Sequence, residues 1–218
     1  MILKRNEKLT ILRDFPNIEL SYDRHNKVQD FFVTIPKGPK CFAWFRSFNN
    51  HYVCILLKLY KKKIIKDVII RISCFHRFLC IGVGTILYGT LFNKNFFNVE
   101  DVFFFKNNNV SNRNEKQKKQ IYEDLFANYI KQVSFNNSLV FGLPIIEYNY
   151  NNILEKTKEL QYELYCIQSR SNNGSRYNIK IEKRLQYAVF AVRADVKTDI
   201  YRLFSFQKDI LVEHGIAN

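Results

Sequence analysis

The chain has 218 residues, 47% of them hydrophobic and 16% aromatic, which suffices for a full core and excludes an intrinsically disordered chain. Its formal charge is +14, with lysine and arginine outnumbering aspartate and glutamate 34 to 20. That balance excludes an acidic protein and fits either a polyanion-binding surface or a coat of solvated lysines, part of which reflects an A/T-rich codon composition.

Residues 1–30 are polar and mixed, without a clear period, and read as an N-terminal arm. FFVTIPKGPKCFAWF then gives a strand, a turn punctuated by Pro36, Gly38 and Pro39, and a second strand. Residues 51–60 and 66–73 are β-branched and aliphatic, and with Lys61-Lys62-Lys63 between them they predict a hairpin. Strands follow over 85–92 and 96–105, joined by Asn93-Lys94-Asn95. Strict alternation along the second would place Phe97, Val99, Asp101, Phe103 and Phe105 on one face and Glu100, Val102, Phe104 and Lys106 on the other.

Ile121, Leu125 and Tyr129, flanked by Tyr122, Phe126, Ile130 and Val133, predict a helix over 114–133 capped by Asn112 or Asn114. A short strand over 139–146 ends at Gly142 and Pro144, and a helix covers 151–161. Residues 163–171 and 177–182 form a hairpin across Asn172-Asn173-Gly174-Ser175. A last strand spans 186–193, an amphipathic tail covers 198–206, and 207–218 are a C-terminal tail. The sum is one α+β domain over 31–206, with antiparallel sheets and two or three packed helices.

Cys41, Cys54, Cys74, Cys80 and Cys166 lie mostly in apolar runs with no C-x-x-C pair, so free buried thiols in a reducing compartment are expected, and no metal or other cofactor. Met1-Ile2-Leu3 is followed at once by Lys4-Arg5 and polar sequence, unlike a signal peptide. The longest apolar stretch, 78–92, falls short of the about 20 residues that a membrane helix needs. The expectation is an intracellular protein with no membrane segment.

The order of motifs resembles the nucleotidyltransferase domain of the covalent ligase and mRNA-capping superfamily, over about residues 33–195. Tyr88-Gly89-Thr90 stands where that family has Asp-Gly-Glu. The segment from Phe97 to Asn107, FNVEDVFFFKN, stands for its aromatic-x-x-aromatic-Asp-(Val/Ile)-Leu strand, and Ser111-Asn112-Arg113 for the start of the next helix. The family's Lys-x-Asp-Gly nucleophile does not occur; Lys37 and Lys40 lie near its place. Thr90 replaces the carboxylate of Asp-Gly-Glu, and Val192-Arg193-Ala194 replaces the terminal Lys-x-Lys. Little chain remains beyond Arg193 for an oligonucleotide-binding barrel. The non-catalytic branch represented by snurportin, which binds the trimethylguanosine cap of small nuclear RNAs, is similar in Pro36-Lys37-Gly38-Pro39-Lys40 and in Val99–Asn107. The composition is also compatible with a large nucleocytoplasmic DNA virus as source.

The resemblance implies a catalytically inactive domain that binds a nucleotide, an RNA 5′ cap or other nucleic acid through a basic aromatic cleft. Phe105 falls on the stacking position and Lys106 beside it; Lys40, Trp44, Arg170 and Arg193 complete the candidate set. Each has a plainer reading: Trp44 and the other phenylalanines as core, Lys40 as a solvated lysine, and Glu100 and Asp101 as ion-paired acids rather than a catalytic pair. A structural or assembly component with protein partners is the alternative function, and an active guanylyl- or adenylyltransferase using Lys37 or Lys40 a third.

Overall fold

The computed structural model describes residues 3–20, 30–60, 64–135, 137–172, 174–179, 190–207 and 210–217. The expected lysine turn at 61–63, the hairpin end at 180–182, the start of the last expected strand at 186–189, and the cations Lys180, Lys183 and Arg184 lie outside those residues. The elements run α1 (Arg5–Asp14), β1 (Phe31–Pro36), β2 (Lys40–Phe48), β3 (His51–Leu59), β4 (Ile65–Arg71), β5 (Thr85–Phe92), β6 (Phe96–Phe105) and β7 (Asn108–Asn109). They continue as α2 (Glu115–Asp124), β8 (Val140–Gly142), β9 (Ile146–Glu147), α3 (Tyr150–Lys158), β10 (Leu164–Arg170), β11 (Arg176–Ile179), β12 (Ala191–Ala194), β13 (Tyr201–Gln207) and β14 (Ile210–Ala217). The chain divides into two compact units, Met1–Ile181 and Glu182–Asn218.

Within the first unit, the described strands form two sheets. The larger has the order β4-β3-β2-β5-β6-β7, with β8 alongside β6; the smaller has the order β11-β10-β1-β9. The Pro36–Pro39 turn is therefore a crossing from one sheet to the other, not a hairpin. The β2–β3 hairpin is set by Asn49 and Asn50, whose φ values of 49° and 60° suit a two-residue primed turn.

The large sheet is covered on both faces, which is why its strands read as nearly continuous apolar runs. One face presents Phe42, Trp44, Ile55, Leu57 and Ile86 to α1, which contributes Ile11. The other presents Ala43, Phe45, Leu56 and Leu87 to Ile121, Tyr122 and Leu125 of α2 and its continuation. The arm expected at the N-terminus is thus partly a helix. Its period escapes notice because Ile11 is its buried position, while Leu9 and Leu12 stay exposed.

α2 opens with a reciprocal cap: Gln117 N donates to Asn114 Oδ1 (2.9 Å), and Asn114 N donates to Gln117 Oε1 (3.2 Å). It stops nine residues earlier than the apolar period suggests, giving way to a π-turn over Leu125–Tyr129 and then to extended chain at Ile130, which bridges to Phe75. In the small sheet, Phe32 joins Ile153 and Ile167 beneath α3, while Phe31, Val33, Ile35 and Cys166 form a separate apolar group.

The second unit is an antiparallel sheet ordered β12-β13-β14. The stretch expected as an amphipathic tail, 198–206, holds all of β13 but its last residue, and the expected C-terminal tail contains β14. Tyr201-Arg202-Leu203 starts a period-two pattern that a short window does not separate from a helix. Among the described residues, no helix is long and apolar enough to cross a membrane.

Candidate functional site

The central feature of the first unit is created by two irregularities in β6. Val99 lies opposite Gly89 and Asp101 opposite Tyr88, leaving Glu100 as an extra residue; Val102 lies opposite Leu87 and Phe104 opposite Ile86, leaving Phe103 as a second. These are β-bulges, each of which resets which face the next side chain takes. The result departs from strict alternation: Phe97, Val99, Val102 and Phe105 pack on the α2 side, and Phe103 and Phe104 on the α1 side. Gly89 sits at the first bulge because a Cβ there would run into the carbonyl oxygen of Asn98.

The first bulge presents two consecutive buried acids, each paired. Glu100 accepts from Lys40 Nζ through both carboxylate oxygens (2.6 and 2.8 Å) and from the Thr90 hydroxyl; Lys40 also donates to Thr90 Oγ1 (2.7 Å). Asp101 accepts from Lys118 Nζ of α2 (2.7 Å), from Arg176 Nη2 of β11 (2.6 Å) and from the backbone amide of Val102 (2.8 Å). Burial alone would raise the Asp101 carboxyl, but Arg176, Lys118 and then Arg170 overcome it and hold the group below its ordinary value. Glu115, in the first turn of α2, accepts from Arg176 Nη2 (3.2 Å) and lies 3.9 Å from Arg170 Nη1.

Arg170 and Arg176 are direct cross-strand partners in the small sheet. Arg170 Nη1 donates to the backbone carbonyl of Glu100 (2.9 Å), and Nε donates to Gln168 (2.9 Å). The two arginines therefore join the small sheet to the bulged strand of the large one, and Lys118 adds α2 to the same seam. Charged groups this deeply buried persist only when each is matched, since desolvation otherwise outweighs attraction.

Of the residues singled out in the sequence, this seam brings together Lys40 and Arg170, on the side chain and the backbone of Glu100. Trp44 is 1% exposed; its Nε1 donates to Val83 O (2.7 Å), and its ring packs against Phe15, the residue after α1, and the Arg46 guanidinium. Phe105 and Lys106 form a separate cluster. Lys106 Nζ lies 3.8 Å from the Tyr129 ring centre, 4.6 Å from that of Phe105 and 3.4 Å from Asp124 Oδ2. Lys106 and Asn107, with φ values of 47° and 73°, are the turn between β6 and β7. Arg193 belongs to the second unit and lies over Phe204 (5.3 Å).

Lys118, Arg176 and Glu115 were not singled out as site residues from sequence. A signal existed for the first: Lys118 lies three and seven residues before Ile121 and Leu125, on the apolar register of its own helix, where a cation demands a buried acid.

Beside the seam lies a cleft of about 700 Å³. Its walls include Asn17, Asn109, Ser111, Asn112 and Arg113, with Phe103 and Phe104 from β6 and with Lys118 and Arg176 at the seam. Arg113 is exposed and makes no ion pair with the described residues. No protein-family model matches the chain, and no curated protein matches it.

Proposed function

We propose that the first unit is a binding domain for a nucleotide or an RNA 5′ end, without nucleotidyl transfer of its own. The observation that carries this reading is the cleft beside the seam. Its asparagine amides and the Ser111 hydroxyl offer both donors and acceptors, as the edges of an unpaired base require. Phe104 supplies partly buried ring surface, and Arg113 a cation for phosphate. The motif resemblance to the ligase and capping superfamily points the same way. Lys40, which stands near the family's nucleophile, is held by Glu100 and Thr90 instead of facing an open phosphate site, which favours binding over catalysis.

Fluorescence anisotropy with capped, 5′-triphosphate and 5′-hydroxyl RNA of one sequence tests the reading. Micromolar binding that depends on the 5′ group, weakened about tenfold or more by Arg113→Glu, is the expected result. Equal affinity for all three RNAs, or unchanged binding by Arg113→Glu, removes the cleft as the site. A covalent label on the protein after incubation with radiolabelled GTP or ATP overturns the non-catalytic part.

A further inference from the structure

Beyond the end of α2, an open groove of about 710 Å³ lies between the segments 73–76 and 126–133. The two segments are fixed to each other by backbone pairing: His76 N donates to Tyr129 O (2.7 Å), Lys131 N donates to Cys74 O (3.0 Å), and Phe75 bridges to Ile130. The π-turn closes with Ile130 N donating to Leu125 O (2.9 Å), and such turns are frequent at functional sites.

Four rings stand on its walls: His76, which is exposed, and Phe75, Phe126 and Tyr129, which are half-buried. Phe78, 46% exposed, extends the row: its ring centre lies 4.6 Å from that of His76, which in turn lies 6.1 Å from that of Tyr129. The rest of the wall, besides Lys131, mixes the amides of Asn128 and Gln132 with small and aliphatic side chains. Among the described residues that line the groove there is no carboxylate. Lys131 and the neighbouring Arg77 are exposed and make no ion pair with the described residues; the Arg77 guanidinium lies 5.9 Å from the centre of the Phe78 ring. The acids just before the π-turn are already held, Glu123 by Lys119 (4.0 Å) and Asp124 by Lys106 (3.4 Å) and the Asn128 amide (2.8 Å).

We propose that this groove binds single-stranded nucleic acid, its unpaired bases lying against the row of rings and its phosphates reaching Arg77 and Lys131. Accessible rings beside unpaired cations are what an unpaired strand uses, base against ring and phosphate against cation. An acidic peptide would meet the cations and leave the rings unused. The charge of +14 on the whole chain adds a field that draws a polyanion in. None of these residues lines the polar cleft, and the proposal stands apart from the reading of that cleft.

Fluorescence anisotropy of the full chain with a 3′-labelled RNA of about 12 nucleotides and mixed sequence, carrying a 5′-hydroxyl, tests it with and without the annealed complement. The single strand should bind about tenfold or more tightly than the duplex, and more weakly as salt rises. Arg77→Ala with Lys131→Ala, both exposed positions, should weaken the single strand about fivefold or more and reduce its salt slope by about one. Phe78→Ala should weaken it about fivefold or more with the salt slope unchanged, as lost stacking requires. Affinity lost in Arg113→Glu but kept in the Arg77, Lys131 and Phe78 variants places the RNA in the cleft and overturns the groove. Equal binding of the duplex, or polyglutamate displacing the strand as well as unlabelled RNA does, overturns it too.

Discussion

Asp101 shows what one side chain can contribute when three elements converge on it. Its carboxylate is held by Lys118 from α2 and Arg176 from β11, on a strand of the other sheet. Replacing it with asparagine leaves two buried cations facing an amide. Because removal of one partner of a buried pair is far costlier than the pair's net worth, Asp101→Asn should cost about 3–5 kcal/mol in urea unfolding. The same carboxyl dictates a pH response. Its folded pKa lies below the unfolded value, so its stabilisation is complete above about pH 4, where the unfolded chain is ionised, and disappears as pH falls through the folded value. Unfolding free energy measured from pH 6 down to pH 2 should therefore decline in wild type and more shallowly in Asp101→Asn.

At the level of elements, β6 governs the site, and Gly89 opposite it permits the first bulge. Gly89→Ala would force its Cβ against the Asn98 carbonyl of the paired strand, and should destabilise by about 1–3 kcal/mol, read as a lowered urea midpoint. A drop of that size with the Arg170 and Lys118 side chains still in place would show that the bulge, not the ion pairs alone, sets the cost. Much of the element order was legible: the strands over 85–92 and 96–105, the cap at Asn114 and the β10–β11 hairpin all follow from local chemistry. The faces of β6 were not, since an extra residue leaves no trace in an apolar run such as FFNVEDVFFF, yet moves Val102 to the α2 side and Phe103 away from it. α1 escaped for the related reason that its burial rests on little more than Ile11. The seam itself was half visible, because an ion-paired reading of Glu100 and Asp101 was open, but their partners lie 17 to 75 residues away in sequence.

Over the whole molecule, the contrast lies between a first unit with two covered sheets and a second built from a single described sheet. The seam, the polar cleft and the two larger apolar clusters belong to the first. A chain ending at Ile181 should accordingly fold cooperatively, with a thermal midpoint within about 5 °C of the full chain, and a molten far-ultraviolet and calorimetric profile would refute its independence. Arg193, one of the residues put forward for binding, would be absent from that fragment; RNA affinity kept after truncation would place it outside the site.

Glu115 stands on the wall of the polar cleft, and it is shared unequally by two arginines. Displacing Arg170 would leave Glu115 to Arg176 alone, at the edge of the cleft. Thermodynamic reciprocity would then apply: whatever factor that displacement imposed on affinity in the cleft, an occupant of the cleft would impose on the displacement. One carboxylate between two arginines is thus the place where a shift in the small sheet would be felt in the cleft.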